Sequence, residues 1–240
     1  MSAQRLNHTG KAARAGRHLR WRSLLVALLV VLGAVLTKWA GLFAVVAAGA
    51  GAWLVFAAFT FLFFRDPTPR VPSDPDAVVA PAHGRVDFIG PWAEPEFMGG
   101  DCQRISIFLS VFDVHVQTAP MTGLIQFLRY QTGRFHGAFS LARTQQNENL
   151  FIGLQSTEHQ DERIGVRLIA GFIARRVLGW VKEGEFVEHG ERLGMIQFGS
   201  RCDLYLPPHF QVVVQTGDRV KGGETIVARR DRAAAESIKT

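Results

Sequence analysis

Residues Ile196 to Pro207 read IQFGSRCDLYLP. Ile196, Phe198, Ser200, Cys202, Leu204 and Leu206 alternate with Gln197, Gly199, Arg201, Asp203 and Tyr205. Side chains along a strand alternate between its faces, so this period of two predicts a β-strand with one buried side and one polar side. Ser200 is the one hydroxyl on the apolar side. It directly follows Gly199, a residue type that strand interiors normally avoid. A buried serine ordinarily hydrogen-bonds a neighbouring backbone group, so the Gly-Ser pair alone does not define a site.

Similar short runs surround this strand. VVAPAHGRVDFIG begins at Val78, RISIFLSVFDVHVQTAP at Arg104, NLFIGLQS at Asn149, FQVVVQTG at Phe210 and ETIVARR at Glu224. Glycines and prolines separate them at the intervals of an all-β sandwich or barrel. GEFVEHGE at Gly184 to Glu191 is matched by GDRVKGGE at Gly217 to Glu224, each with an apolar strand on either side. The glycines predict tight turns and the valine between them points inward. These turns resemble those of lipoyl and biotinyl carrier domains, in which two similar halves interlock. The expected fold is mainly β, a sandwich or barrel with carrier-like (barrel-sandwich hybrid) turns, preceded by a helical membrane anchor.

The anchor is read from hydropathy and charge. The chain has 240 residues and a formal net charge of +6. Residues 1–23 form a basic segment, with Arg5, Lys11, Arg14, Arg17, Arg20 and Arg22 and no acid. Within residues 24–64 the only charge is Lys38, a stretch too long for a buried core helix. It divides at TKWAG, Thr37 to Gly41, and fits a helical hairpin, a re-entrant pair or one span with an interfacial helix; a hairpin would leave both flanks cytoplasmic. The basic segment therefore points to the membrane surface, and no reader motif points to nucleic acid. RDPTPRVPSDPD, with four prolines, makes residues 65–77 an extended linker. Residues 78–240 form the β-rich domain. Two cysteines, Cys102 and Cys202, offer neither a metal motif nor a disulfide framework.

ARRVLGWVKEGEFVEHGERLGMIQFGSRCDLYLP, Ala174 to Pro207, together with VVAPAHGRV and FLSVFDVHVQTAP, resembles the short, membrane-associated phosphatidylserine decarboxylases. The resemblance covers most of residues 65–230. It implies that the chain is a proenzyme that cleaves itself between Gly199 and Ser200. The β subunit would end at 199, and the α subunit, 200–240, would begin with a covalent pyruvoyl group made from Ser200. The two subunits would stay together as a heterodimer on the cytoplasmic side of the cell membrane. The pyruvoyl serves as an electron sink comparable to pyridoxal phosphate, and phosphatidylserine loses carbon dioxide to give phosphatidylethanolamine.

The family's histidine matches His115, whose imidazole would take the serine proton. The family usually reads Pro-Ala-Asp-Gly where this chain has PAHG, Pro81 to Gly84, so His83 occupies the place of an orienting aspartate. Asp87, Asp101 and Asp113 are the candidate compensating acids. The rival expectation, prompted by His83, is a non-catalytic, membrane-tethered carrier-like module that stays uncleaved.

Asn147, Glu148 and Asn149 match an acidic-amide cluster of the family but read first as a solvated turn, and Arg134 offers a phosphate contact. His8, His18, His136, His159, His189 and His209 lack metal-ligand spacing and read as surface or structural residues.

Overall fold

The computed structural model describes residues 11–37, 40–133, 146–159, 162–171, 176–197 and 200–231. The chain divides into a helical unit, Gly10–Asp66, and a β unit that contains Pro67–Thr240. Gly199, Arg134 and His136 lie outside the described residues.

In the helical unit, α1 (Lys11–Thr37) and α2 (Ala40–Phe63) pack together. The break falls inside the Thr37–Gly41 stretch. The basic residues from Lys11 onward and the apolar residues after Ser23 share one helix. The segment Ala44–Phe63 is long and apolar enough to cross a membrane. From Leu24 to Thr37, α1 rises only roughly 21 Å at 1.5 Å per residue, short of a hydrocarbon core.

Among the described residues, the β unit contains fourteen strands. β1 (Ala77–Val79), β14 (Ile226–Arg230) and β12 (Phe210–Val212) form one sheet, in that order. β4 (Val116–Thr118), β10 (Arg192–Ile196) and β8 (Val177–Gly179) form a second. The large sheet is ordered β13 (Arg219–Val220), β2 (Gly84–Glu94), β3 (Gly100–Leu109), β11 (Ser200–Leu206), β7 (Arg163–Ala170), β6 (Asn149–Ser156), β5 (Gly123–Gln131) and β9 (Phe186–Val187). All its pairs are antiparallel. The main core includes Val86, Ile107, Ile125, Leu154, Val166, Leu168, Cys202, Leu204 and Leu206. The chain is thus mainly β, as its sequence predicts.

The repeat is explicit in the backbone. Gly184, Gly190, Gly217 and Gly223 have φ of 81°, 80°, 106° and 73°, the left-handed region that glycine enters without a Cβ clash. In one copy Gly184 N–H donates to Ile125 O and Ile125 N–H to Glu185 O; in the other, Gly217 donates to Val86 O and Val86 to Asp218 O. Gly190 and Gly223 likewise donate to Ala119 O and Ala80 O. These partners disclose a second repeat, APAHGRV at Ala80 to Val86 and APMTGLI at Ala119 to Ile125. It shares only Ala, Pro and Gly at matching positions, a signal too sparse to stand out from loop composition. The equivalence extends to exposed cross-strand pairs: Arg219 opposes Arg85 in one half, and Phe186 opposes Leu124 in the other.

The proline-rich segment is fastened to the β unit. Pro69 packs on Gly223 and Val71 on Gly190, at 2.7 and 2.4 Å from where a Cβ would stand. Arg70 N–H donates to Glu224 at 3.2 Å. Residues 65–72 form neither helix nor strand, and Pro69 and Val71 lie against the two equivalent turns.

Candidate active site

Ser200 begins β11, in the interior of the large sheet, opposite Leu109 of β3 on one side and Ala170 of β7 on the other. Four residues upstream, Ile196 N–H donates to the carbonyl of His115 at 3.2 Å. Ile196 and Ser200 are therefore tied by their backbones to His115 and Leu109, so the start of β11 and His115 share one neighbourhood. His115 is fully buried. Its Nδ1 lies 2.9 Å from the Asp113 carbonyl oxygen. A carbonyl only accepts, so Nδ1 carries a proton, and in the neutral ring Nε2 holds the lone pair.

Asp113 therefore meets His115 through its backbone. Its carboxylate Oδ2 accepts from Ser110 N–H and Oγ–H, both at 2.8 Å, closing the turn before His115. Asp101 lies at the other end of β3 from Leu109, roughly 26 Å along the strand. Asp87 is the residue skipped where the β2–β3 register shifts between Val86 and Phe88. A bulge re-aims the side chain it carries. Asp87 accepts from Arg201 in a two-pronged ion pair at 2.6 and 2.5 Å, reaching past β3 to the residue next to Ser200.

His83 is half-buried in the bend before β2. Its Cδ2 is 3.2 Å from where a Cβ on Gly222 would stand, so the absent side chain makes room for the ring. The equivalent pair in the other half is Thr122 and His189, where His189 N–H donates to Thr122 Oγ1 at 3.2 Å. The backbone of Gly84 lies two strands from that of Ser200, roughly 10 Å.

The polar face of β11 departs from expectation. Arg201, Asp203 and Tyr205 are all buried, as are Cys202, Leu204 and Leu206 on the opposite face. An interior strand of a curled sheet is enclosed on both sides, and its charges are accommodated by pairing. Arg104 stands 3.9 Å from Asp203 and stacks over the Trp92 ring at 3.7 Å. Burial raises the Asp203 carboxyl above its usual range, against the pull of Arg104, Ser106, Arg201 and Arg167. Burial, then Asp203, raises the Cys202 thiol well above its ordinary value.

Asn147, Glu148 and Asn149 are also buried, which corrects the solvated-turn reading. Asn147 Nδ2–H donates to Ala170 O at 2.7 Å, and Ala170 N–H to Glu148 O at 2.9 Å. Glu148 accepts Val177 N–H at 2.9 Å. This knot fixes Ala170, the strand partner of Ser200. The matching family cluster was the available signal; its backbone partners were not legible. Among the described residues, no group of three His, Cys, Asp or Glu side chains is placed to hold a metal.

The phosphatidylserine decarboxylase family model matches residues 56–228. The chain belongs to the phosphatidylserine decarboxylase family. It is 40% identical over 177 residues to the phosphatidylserine decarboxylase proenzyme of Desulfotalea psychrophila, covering 74% of this chain and 82% of that one. The proenzyme of the same name from Carboxydothermus hydrogenoformans is 39% identical over 212 residues, 87% of this chain and 93% of its own. That of Trichlorobacter lovleyi is 41% identical over 197 residues, 82% and 86% of the two chains. The match covers the end of α2 and the β unit as far as residue 228.

Proposed function

We propose that this chain matures by cutting itself between Gly199 and Ser200 and then decarboxylates phosphatidylserine to phosphatidylethanolamine. The observation that carries the reading is the double tie of segment 196–200 to segment 109–115, with a buried histidine whose Nδ1 is bonded to a carbonyl. Relatives named as proenzymes support the maturation step.

His115 Nε2 takes the Ser200 hydroxyl proton, the oxygen attacks the Gly199 carbonyl, and the amide becomes an ester as the Ser200 nitrogen gains a proton. Loss of the Ser200 α-proton expels the Gly199 carboxylate and leaves a dehydroalanine, which water converts to pyruvoyl and ammonia. The pyruvoyl supplies an electron sink for the carbanion left by carbon dioxide. The residues present fit such a group, because backbone pairing with β3 and β7 retains the new terminus in the sheet. Arg201, fixed by Asp87, and Asp203, flanked by Arg104, enclose the neighbouring face and exclude water. His83 is a second imidazole two strands away and serves as a proton carrier rather than as an orienting carboxylate.

Residues 24–64 place the enzyme in the membrane as a hairpin of α1 and α2, the shorter apolar run of α1 being met by local thinning of the bilayer, so that the basic segment and the β domain, residues 78–240, are both on the cytoplasmic side. The two products, 1–199 and 200–240, form the working heterodimer.

Intact-protein mass spectrometry in detergent tests this directly. The expected result is two masses, the smaller beginning at position 200 and lighter than a serine terminus by one ammonia. A single full-length mass overturns the reading, and Ser200→Ala gives that mass as the reference.

A further inference from the structure

We propose that the edge formed by Phe112, Arg85 and Arg219 docks on an anionic phospholipid surface, with Phe112 entering the interface and the two arginines holding lipid phosphates. The inference rests on the reading of α2 as a membrane anchor and of a phospholipid as substrate.

Phe112 is 72% exposed on the loop between β3 and β4 that carries His115. A single exposed aromatic is ordinary, but this one has a cationic neighbour. Asp113, the next residue, lies 3.7 Å from Arg219, whose side chain is 81% exposed. Arg219 sits on an edge strand directly opposite Arg85, also exposed. Like charges directly opposite one another destabilise a sheet. Among the described residues, Asp113 is the one carboxylate within ion-pair distance of this pair, and its other oxygen is engaged by Ser110. Asp87 is committed to Arg201.

Arg85 Nε–H also donates to the Gly217 carbonyl at 3.0 Å, yet the equivalent backbone of the other half forms without arginines. The equivalent pair in the other half is Leu124 and Phe186. The same backbone thus accepts an apolar pair, and the cationic pair reflects what it meets. A surface of phosphates is complementary in charge, and an aromatic beside cations suits the headgroup boundary.

Chain length selects the bilayer as the occupant. Five residues lie between Phe63, the end of α2, and Pro69, six steps along the chain with a reach of at most ~21 Å. Pro69 rests on Gly223, four residues from Arg219, roughly 13 Å along the chain. A bilayer entered by α2 is therefore within reach of this edge. Docking there would turn the His115 loop toward the lipid headgroups.

The test uses the full chain reconstituted in phosphatidylcholine vesicles, with and without phosphatidylglycerol. Phe112→Cys is labelled with an environment-sensitive fluorophore; native Cys102 and Cys202 are 3% and 0% exposed and do not compete. Lipids carrying a quencher near the headgroup report insertion, and flotation separately reports anchoring. The expected result is quenching that increases with phosphatidylglycerol, also in Ser200→Ala, which forms no pyruvoyl. Arg85→Leu with Arg219→Phe installs the residues of the other half, and it should lower docking on the order of fivefold per arginine. Floating protein with an unquenched label overturns the proposal, as does quenching indifferent to both the anionic lipid and the arginine exchange. Failure to float overturns the membrane reading and this inference with it. A single uncleaved mass alongside normal quenching overturns only the decarboxylase reading.

Discussion

In the proposed maturation His115 is the base, and one hydrogen bond bears on how it acts. Because Nδ1 faces a backbone carbonyl, replacing Asp113 by Asn leaves the tautomer intact, whereas His115→Asn removes the base. The expected slowing of cleavage for His115→Asn is ~10²–10⁴-fold, followed as disappearance of the full-length chain on gels. Arg201 offers a second test. Asp87→Asn leaves a guanidinium that is 1% exposed without its full counter-charge. The expected loss is about 2 kcal/mol in a denaturant titration, below the range for wholly buried pairs because Asp87 is 31% exposed. The candidacy of Ser200 and His115 was legible through motif text. The Arg201 partnership was not: its acid lies 114 residues away in sequence, on a bulge no local pattern announces.

β11 was legible as a strand because its apolar residues alternate, but alternation cannot reveal whether the polar face meets water. Arg201, Asp203 and Tyr205 are buried because β11 lies between β3 and β7 in a curled sheet. The 147–149 knot acts at the same scale. Asn147→Ala removes a donor to Ala170 O, with an expected cost of about 1 kcal/mol and slower cleavage. A melting curve and a cleavage time course on the same sample check both effects. The turn glycines supply a graded pair. Gly184→Ala meets no atom within 4 Å and should cost only the left-handed penalty, about 1 kcal/mol. Gly190→Ala adds an overlap with Val71 and should cost about 1–3 kcal/mol more in the same denaturation assay. These turns were readable because left-handed backbone selects glycine; the Ala80 and Ala119 repeat was not, since it reuses backbone geometry with few shared side chains.

For the molecule as a whole, the two halves put different groups in equivalent places, and this has a pH signature. Burial lowers the His189 pKa to about 4, against a smaller opposing effect of the Pro120 backbone. Between that value and the ordinary value near 6.5 the unfolded chain binds a proton that the folded chain refuses, so stability falls as pH drops through this window. The melting temperature should decline from pH 7 to pH 4.5, and His189→Asn should flatten that decline.

The C-terminal piece supplies an interior strand of the large sheet, its β13 edge and two of the three strands of the β1 sheet. Under the proposed maturation, folding must therefore precede the cut. The uncut chain would refold as a unimolecular event, indifferent to dilution. Once cut, its recovery from denaturant would become an encounter between two polypeptides, second order in concentration, and the enzyme would have a single opportunity to reach its native state unaided.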